Sequence, residues 1–439
     1  MNTVEANEEA ADIIQTVADV APAAPEVVAP QAFLPLWRNH DFMLLWSGQL
    51  VSTLGTGIQG VVFPLLILAL TNSPEAAGIA GFLSTVPYII FSLPAGALID
   101  RWDRKRVMII CDAFRALNIA TVPIAIYFDV LTVWQLFVVA FIEGSFYVWF
   151  NIAEVAAVPR VVPKGQLPAA SAQNQAGMSA AQVLAPSIGG LLYGAFGAAI
   201  PFLLDGISYI FSVFSLFFVR SKLQLERTST ERHLGREIKE GLSWLWHQPL
   251  IRFMAFITGG LNFVNFASGL IVIVLAENMG AKPEEIGVLF SIWAVGGIVG
   301  SILGGPIAKR FTFAQVIIGT CWVSAILFPL FAFVPHFYFL GVVAGLLSLS
   351  GPIYNVVQWS YRVALIPDHL QGRVNSSFRL IAFGFGPLGS ALAGLLLGQF
   401  GGMTTVLVFG AVGVVVAVLV TLNPEVRNAK PLDQLKLEA

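Results

Sequence analysis

Three ionisable residues lie near the middle of long apolar stretches of the sequence, whereas Asp205 and Glu154 lie nearer the ends of theirs and are expected at the membrane interface. Asp112 and Arg115, one helical turn apart, interrupt the apolar segment 105–128, and Glu143 lies near the middle of segment 132–156. A charge at the centre of a bilayer costs about 2.5 kcal/mol or more, so such residues are functional candidates by default. The chemistry open to them is proton coupling, substrate binding or a structural charge pair.

The two segments follow one another in the chain. If both are helices that cross a membrane, they run antiparallel, and Arg115 and Glu143 lie at similar depth. A carboxylate there could exchange protons with one side of the membrane, or it could serve only as the partner of the arginine. Both interpretations stay open for Glu143, whereas a structural or gating pair is favoured for Asp112 and Arg115.

Polar and aromatic side chains also occur in several other apolar segments. Amides in such segments suit the cavity of a transporter, although amides also form hydrogen bonds between helices. The candidate cavity residues are Gln49, Thr53, Phe146, Trp149, Asn151, Gln173, Asn262, Asn265, Asn355, Gln358 and Trp359. A weakly charged, aromatic cavity of this kind would suit an amphipathic organic molecule.

Signals for other chemistry are missing from the sequence. It has no Walker loop, so we expect no ATP site that drives the protein directly. The 5 histidines fall in tails, loops or segment ends, and neither metal-ligand nor nucleophile–base spacing is present. We therefore expect no enzyme, no cofactor, no metal and no nucleic-acid partner.

Composition predicts the elements that would hold these residues. Hydrophobic residues make up 56% of the 439 residues and charged residues 11%, against about 25% charged in a soluble domain. Apolar stretches of about 20 residues, enough to cross a hydrocarbon core of about 30 Å, succeed one another along the chain. We predict an all-α integral membrane protein with twelve transmembrane helices and no β-barrel. The predicted spans are 43–70, 74–99, 105–128, 132–156, 169–194, 198–219, 250–276, 284–308, 312–334, 337–363, 378–399 and 403–422.

The basic residues predict the orientation. Of the 24 lysines and arginines, only Lys282 falls in a loop on one side, Arg115 lies inside a span, and the others lie on or near the opposite side. Positively charged loops stay in the cytoplasm. Both termini are therefore expected in the cytoplasm, which agrees with an even number of spans.

The longest polar interruption divides the predicted spans six and six. We predict a disordered acidic tail (1–40), a first six-helix bundle (41–220), a cytoplasmic linker with an amphipathic helix (221–249), a second bundle (250–422) and a cytoplasmic C-terminal tail (423–439). The bundles look like repeats, because the stretch GALIDR at 96–101 has a counterpart, GPIAKR, at 305–310. Repeated halves with a site at their interface are the plan of many secondary transporters.

The stretch GALIDRWDRKR, residues 96–106, resembles motif A of the major facilitator superfamily. From Trp37 to about Pro424 the chain resembles one branch of it, bacterial exporters of the enterobactin-exporter and macrolide-efflux type. The resemblance implies a loop that latches the cytoplasmic ends of the two halves when the cavity faces out, formed by Gly96, Asp100, Arg101, Arg104 and Lys105. Asp103 stands where motif A usually has its second glycine, and Thr56 stands where the family often has an acid.

Segment 169–194 resembles the kinked motif of proton antiporters, with three of its glycines replaced by alanine. Its Pro186 would kink the helix, and Gly189 and Gly190 would let a neighbour approach closely. In the family this motif is associated with export, and close packing alone is the alternative interpretation.

The resemblance implies alternating access by a major facilitator fold. We expect a monomer in the bacterial inner membrane that exports a small amphipathic organic molecule, of the drug or siderophore class, in exchange for protons. An importer or facilitator of a small metabolite on the same fold is the main alternative, and lipid movement is another.

Overall fold

The computed structural model describes residues 35–99, 101–224, 234–367 and 370–429, and these ranges form helices joined by short turns. The helices are α1 (His40–Thr71), α2 (Pro74–Ile99), α3 (Arg104–Tyr127), α4 (Val133–Val161), α5 (Leu167–Phe196), α6 (Ala199–Phe218), α7 (Leu234–His247), α8 (Pro249–Asn278), α9 (Pro283–Arg310), α10 (Phe313–Leu327), α11 (Phe337–Leu365), α12 (Gln371–Gly384), α13 (Gly386–Leu422) and α14 (Pro424–Arg427). Short 3-10 helices precede α1 and α5 and follow α10. The all-helical class is therefore confirmed for the described residues.

The membrane spans agree with the prediction in kind but not in number. Among the described residues, 10 helical segments are long and apolar enough to cross a membrane. The polar first half of α5 keeps that helix out of the set. The predicted spans 378–399 and 403–422 fall within one segment, 371–422, which is interrupted where Gly401 adopts a left-handed φ of 77°. The count of twelve stays a prediction.

Side-chain caps mark where several helices begin. Asn39, Asp103 and Thr132 each accept a hydrogen bond from the backbone N–H three residues further on, at the starts of α1, α3 and α4. Such caps satisfy backbone donors that the first helical turn leaves without partners. Asp103, the residue that replaces the second glycine of motif A, therefore has a local role at the start of α3.

The helices fall into two groups. Helices α1 to α6 pack mainly on one another, as do α8 to α13, and the two groups meet where α2 contacts α13 and α5 contacts α9. Glycines allow the first contact, since a Cβ atom added to Gly78 would lie 2.7 Å from the Cα atom of Gly394. In the second contact, the hydroxyl groups of Ser187 and Ser291 are 2.7 Å apart.

These contacts lie toward one end of the molecule. Gly78 is one turn from the start of α2, and Ser291 is two turns from the start of α9, so both lie near the turns at 72–73 and 279–282. The turns at 101–103, 162–166 and 311–312, each with lysine or arginine in it or beside it and here called the basic loops, are at the opposite ends of their helices. In this structure the two groups of helices are therefore joined at the end away from the basic loops.

Helix α7 lies within the predicted linker and packs on the second group. Its Glu240 accepts a 2.6 Å hydrogen bond from Arg373 of α12, and Gly241 lies against the Arg373 backbone. Leu245 is fully buried in the same interface. Residues 225–233, which connect α7 to the first group, lie outside the described residues.

Candidate transport site

Arg115 of α3 is the centre of a buried polar cluster. Its Nε atom donates a 2.6 Å hydrogen bond to Oε1 of Glu143 on α4. The two side chains are 3% and 10% exposed. This contact agrees with the expectation that the two residues lie at similar depth on adjacent antiparallel helices. A charge-assisted bond of this length is among the stronger hydrogen bonds in proteins.

Tyr209 of α6 and Thr56 of α1 complete the cluster. The Arg115 guanidinium donates a 2.7 Å hydrogen bond to the Tyr209 hydroxyl, which donates a 2.8 Å bond to Oε1 of Glu143. The Thr56 hydroxyl lies 3.0 Å from the same Tyr209 oxygen. Sequence reasoning missed Tyr209. A signal was available, since Tyr209 lies one turn after Asp205, so both polar groups share one face of α6.

Two further carboxyl groups surround the arginine. Oδ1 of Asp112 lies 3.4 Å from an Arg115 nitrogen. Asp205 is fully buried, and its charge interacts with both Arg115 and Glu143. The helical face that Asp205 shares with Tyr209 brings it into this cluster, and its expected position at the membrane interface stays a prediction.

The cluster has more acidic groups than one arginine can neutralise. Asp112, Glu143 and Asp205 each keep one carboxyl oxygen that accepts no hydrogen bond from a described residue. Like charges placed side by side repel one another, so the charge of each carboxyl group depends on the others. A change in the charge of any of them would alter the bonds of Arg115.

A cavity of about 380 Å³ lies beside this cluster. Thr56, Arg115, Glu143 and Tyr147 line it from the first group of helices. The second group contributes apolar rings and one hydroxyl, from Phe266, Phe290 and Ser390. The ion pair thus faces a space that both groups of helices enclose.

None of the predicted cavity residues is among the described residues that line this space. Gln49 and Thr53 line a much smaller crevice between α1 and α5. Gln358 is buried; Asn265, Asn355 and Trp359 are exposed; Phe146, Trp149, Asn151, Gln173 and Asn262 are partly buried. Asn262 donates a 2.8 Å hydrogen bond to the carbonyl of Ala382. This bond joins α8 to α12, which is the alternative role expected for such amides. Their assignment to a cavity stays a prediction.

The motif A residues are only partly described, because Asp100 lies outside the described residues. Gly96 faces open space and Arg101 is exposed. Arg104 donates a 2.8 Å bond to the carbonyl of Ala156, and Lys105 donates a 2.7 Å bond to the carbonyl of Val219. Cations are favourable at the carbonyl ends of helices. The two residues therefore tie α3 to α4 and α6 within one group of helices, and the latch stays a prediction.

The kinked motif of α5 lies between helices. Gly189 packs on the backbone of Ile58 in α1, and Gly190 packs on the backbone at Pro283 of α9. The carbonyl group of Pro186 lies against Gly287, also in α9. Close packing is therefore observed at this motif, at the contact between the two groups, and its link to proton antiport stays a prediction.

No group of three or more potential metal ligands occurs among residues 35–99, 101–224, 234–367 and 370–429. Cys111 and Cys321 are buried free thiols.

Comparison with known proteins associates the chain with efflux. A family model of major facilitator proteins, described as transmembrane secretion effector, matches residues 31–438. Macrolide efflux protein A of Streptococcus pyogenes is 24% identical over 393 residues, which cover 88% of this chain and 96% of the relative. The multidrug efflux pump Tap of Mycolicibacterium fortuitum is 27% identical over 411 residues, covering 89% and 97%. The enterobactin exporter EntS of Shigella boydii is 24% identical over 375 residues, covering 85% and 88%.

Solved structures show the same fold. The nucleoside transporter NupG superposes with a TM-score of 0.69 at 15% identity, covering 88% of this chain and 100% of that structure. A bacterial homologue of the lysosomal transporter Spinster, in an inward-facing and unoccupied conformation, gives a TM-score of 0.69 at 13% identity and covers 92% and 99%.

Proposed function

Since this chain belongs to the transmembrane secretion effector family of major facilitator efflux transporters, we propose that it exports a small amphipathic organic molecule, of the drug or siderophore class, in exchange for protons. The observation that carries the proposal is the Arg115–Glu143 pair in the wall of the cavity between the two groups of helices. A titratable group that faces the cavity can respond to both a proton and a substrate.

The proposed cycle is alternating access by two six-helix halves. The count becomes twelve when α5 is included and segment 371–422 is divided at Gly401, where its helix is broken. We assign the basic loops and both termini to the cytoplasm of a bacterial cell, following the distribution of positive charge. The contacts between α2 and α13 and between α5 and α9 then close the outer end, which makes this an inward-facing state.

Coupling follows from the bonds of Glu143. When its carboxylate takes up a proton, the charge-assisted bond from Arg115 weakens, and the Tyr209 hydroxyl loses its ionised acceptor. Arg115 is then held less tightly in the cavity wall, and the state with the cavity open to the outside is favoured. The membrane potential contributes about 2.3 kcal/mol per proton charge for each 100 mV, enough to drive modest accumulation.

The cavity supports the substrate class. Its volume of about 380 Å³ lies within the range of sites for small organic ligands. The rings of Phe63, Phe266 and Phe290 supply apolar walls, and one ion pair supplies polarity. The relatives named for macrolides, multiple drugs and enterobactin handle amphipathic organic molecules, in agreement with this lining.

Inverted membrane vesicles with an acidic interior test the proposal. Erythromycin, ethidium and enterobactin serve as probes, and a pH-sensitive dye reports the interior. We expect at least one probe to enter while protons leave, and the Glu143→Gln variant to lose this exchange. Probe that leaves the vesicles with protons, or probe movement that ignores the pH gradient, would instead support an importer or a facilitator.

A further inference from the structure

A second cationic site lies in the other group of helices. Arg362, in the last turn of α11, is 4% exposed. Its guanidinium carbon lies 4.6 Å from the ring centre of Trp359 and 4.0 Å from that of Phe378 on α12. The buried Nε atom of Arg362 has no hydrogen-bond partner among the described residues. Within the described part of the chain, the side chain is thus contacted by two rings and by no hydrogen-bonding group.

A second arginine lies near the first. Arg379 of α12 is exposed and directly follows Phe378, whose ring contacts the Arg362 guanidinium. The Arg379 guanidinium lies 5.9 Å from the ring centre of Tyr88, which belongs to α2 and therefore to the opposite group of helices. Arg379 consequently lies at the boundary between the two groups.

The two arginines have no carboxylate partner among the described residues. In the part of the chain that the structure describes, neither Arg362 nor Arg379 forms an ion pair, whereas Arg115 and Arg373 each have a carboxylate partner. Burying a cation without a counter-charge is costly, and a second cation nearby adds to that cost. An anion placed between the two guanidinium groups would remove the cost.

The surface around the arginines is open. Asn355, Trp359 and Arg362 follow one another at intervals of four and three residues, so they share one face of α11. Asn355 is exposed and the Trp359 ring is 51% exposed. The same surface approaches the central cavity, because Arg379 lies over the ring of Tyr88, one helical turn after Ser84 of the cavity wall.

We propose that Arg362 and Arg379, with Trp359 and Tyr88, form a binding subsite for the acidic group of an aromatic organic anion. A carboxylate, sulfonate or phosphate would accept charge-assisted hydrogen bonds from the two guanidinium groups, while its ring would stack on Trp359. The subsite deepens the proposed function and rests on it, since it assigns the exported molecules to aromatic anions that enter from the cytoplasmic side.

The test compares two probes that differ mainly in charge. Naphthalene-1-sulfonate is an anion, and naphthalene-1-sulfonamide is its neutral analogue. Their affinities for the detergent-purified full chain are measured by isothermal titration calorimetry. We expect the wild type to bind the anion about tenfold to a hundredfold more tightly, as charge-assisted hydrogen bonds imply. Equal affinities for the two probes would overturn the subsite without using any variant.

Variants then test whether the two arginines cause the preference for the anionic probe. Arg362→Gln and Arg379→Gln should each remove most of the preference for the anion, and Arg362→Lys should keep part of it. Arg252→Gln is the matched control, because Arg252 also stacks on a ring, that of Trp246, at 5.4 Å. If Arg362→Gln or Arg379→Gln weakens the binding of both probes equally, or of neither, the arginines are structural and the proposal is wrong.

The binding experiment does not depend on transport. A failure of the subsite can therefore be told apart from a failure of the proposed export. A wild-type chain that prefers the anion but moves no probe in vesicles keeps the subsite and contradicts export. A chain that exports erythromycin yet binds both naphthalene probes equally contradicts only the subsite.

Discussion

The guanidinium of Arg115 and the carboxylate of Glu143, 28 residues apart in sequence, share a 2.6 Å hydrogen bond in the wall of the central cavity. The bond joins α3 to α4 and is reinforced by the hydroxyl of Tyr209 from α6. A proton on Glu143 therefore acts on three helices of one group at once, and on a surface that the second group also encloses. This relationship is the basis of the predictions on coupling.

Replacing Glu143 with Gln should separate transport from the proton gradient. The amide keeps the size of the side chain and can still accept a bond from Arg115, but it cannot be ionised. We expect transport down a substrate gradient to continue and uphill transport driven by pH to stop. Vesicle uptake measured with and without a pH gradient gives both quantities.

Glu154→Gln is the control for this substitution. Glu154 is also a buried carboxyl group on α4, 3% exposed, but it is not part of the cavity lining. We expected it at the membrane interface, and its burial makes the comparison closer. An unchanged pH profile in the Glu143 variant, or the same loss in both variants, would remove Glu143 from coupling.

Replacing Tyr209 with Phe removes only the hydroxyl that bridges Arg115, Glu143 and Thr56. One lost hydrogen-bonding group costs about 1 kcal/mol, or more where its partners stay buried without a replacement. We expect a lower free energy of unfolding, together with a shifted pH profile of transport, because the carboxylate loses a donor. Unfolding in detergent and vesicle transport at several pH values measure the two effects.

Tyr354→Phe serves as the matched variant. The Tyr354 hydroxyl is also buried and lies 2.8 Å from the hydroxyl of Thr258, in the second group of helices. It should show a similar loss of stability with no change in the pH profile. A pH profile that moves equally in both variants would mean that the hydroxyl of Tyr209 acts only through stability.

The similar depth of Arg115 and Glu143 was predictable from the sequence, whereas the packing of α6 on α3 was not. Sequence order alone makes neighbouring spans antiparallel, and two charges midway along them reach the same depth. Tyr209 and Asp205 belong to α6, and nothing local indicates that this helix packs on α3. Such contacts depend on the arrangement of all six helices, which periodicity in a single segment does not encode.

The boundaries of the membrane spans were likewise predictable only in part. Most predicted spans coincide with helices to within a few residues, because apolar length is a local property. Segment 371–422 differs, since the predicted break falls beside Gly401 but the helix starts seven residues before predicted span 378–399. The first turn of that segment and the first half of α5 are rich in polar residues, so hydropathy is a poor guide to where these helices begin.

Joining α5 to α9 through a disulfide should stop the cycle. The hydroxyl groups of Ser187 and Ser291 lie 2.7 Å apart across the two groups of helices, so cysteines at both positions are close enough to be oxidised to a disulfide. We expect oxidation of the Ser187→Cys/Ser291→Cys double variant to block transport and a reductant to restore it. Gel mobility after protease cleavage in the linker reports the cross-link.

The two single cysteine variants should transport normally under the same oxidant. The native Cys111 and Cys321 are buried and should not interfere. A cross-linked protein that transports at the normal rate would contradict alternating access through separation of α5 and α9.

The motif A latch predicts a contrast between two neighbouring acids. Asp100→Asn should cripple transport with little loss of expression, because a latch acts through the charge of its carboxylate. Asp103→Asn should have little effect, because Asp103 caps α3 by accepting a bond from the N–H of Arg106, and Asn caps helices equally well. Membrane abundance and vesicle transport, measured side by side, separate expression from activity. Full transport by the Asp100 variant would refute the latch, and a strong defect in the Asp103 variant would show that the geometry of this loop matters more than the charge at position 100.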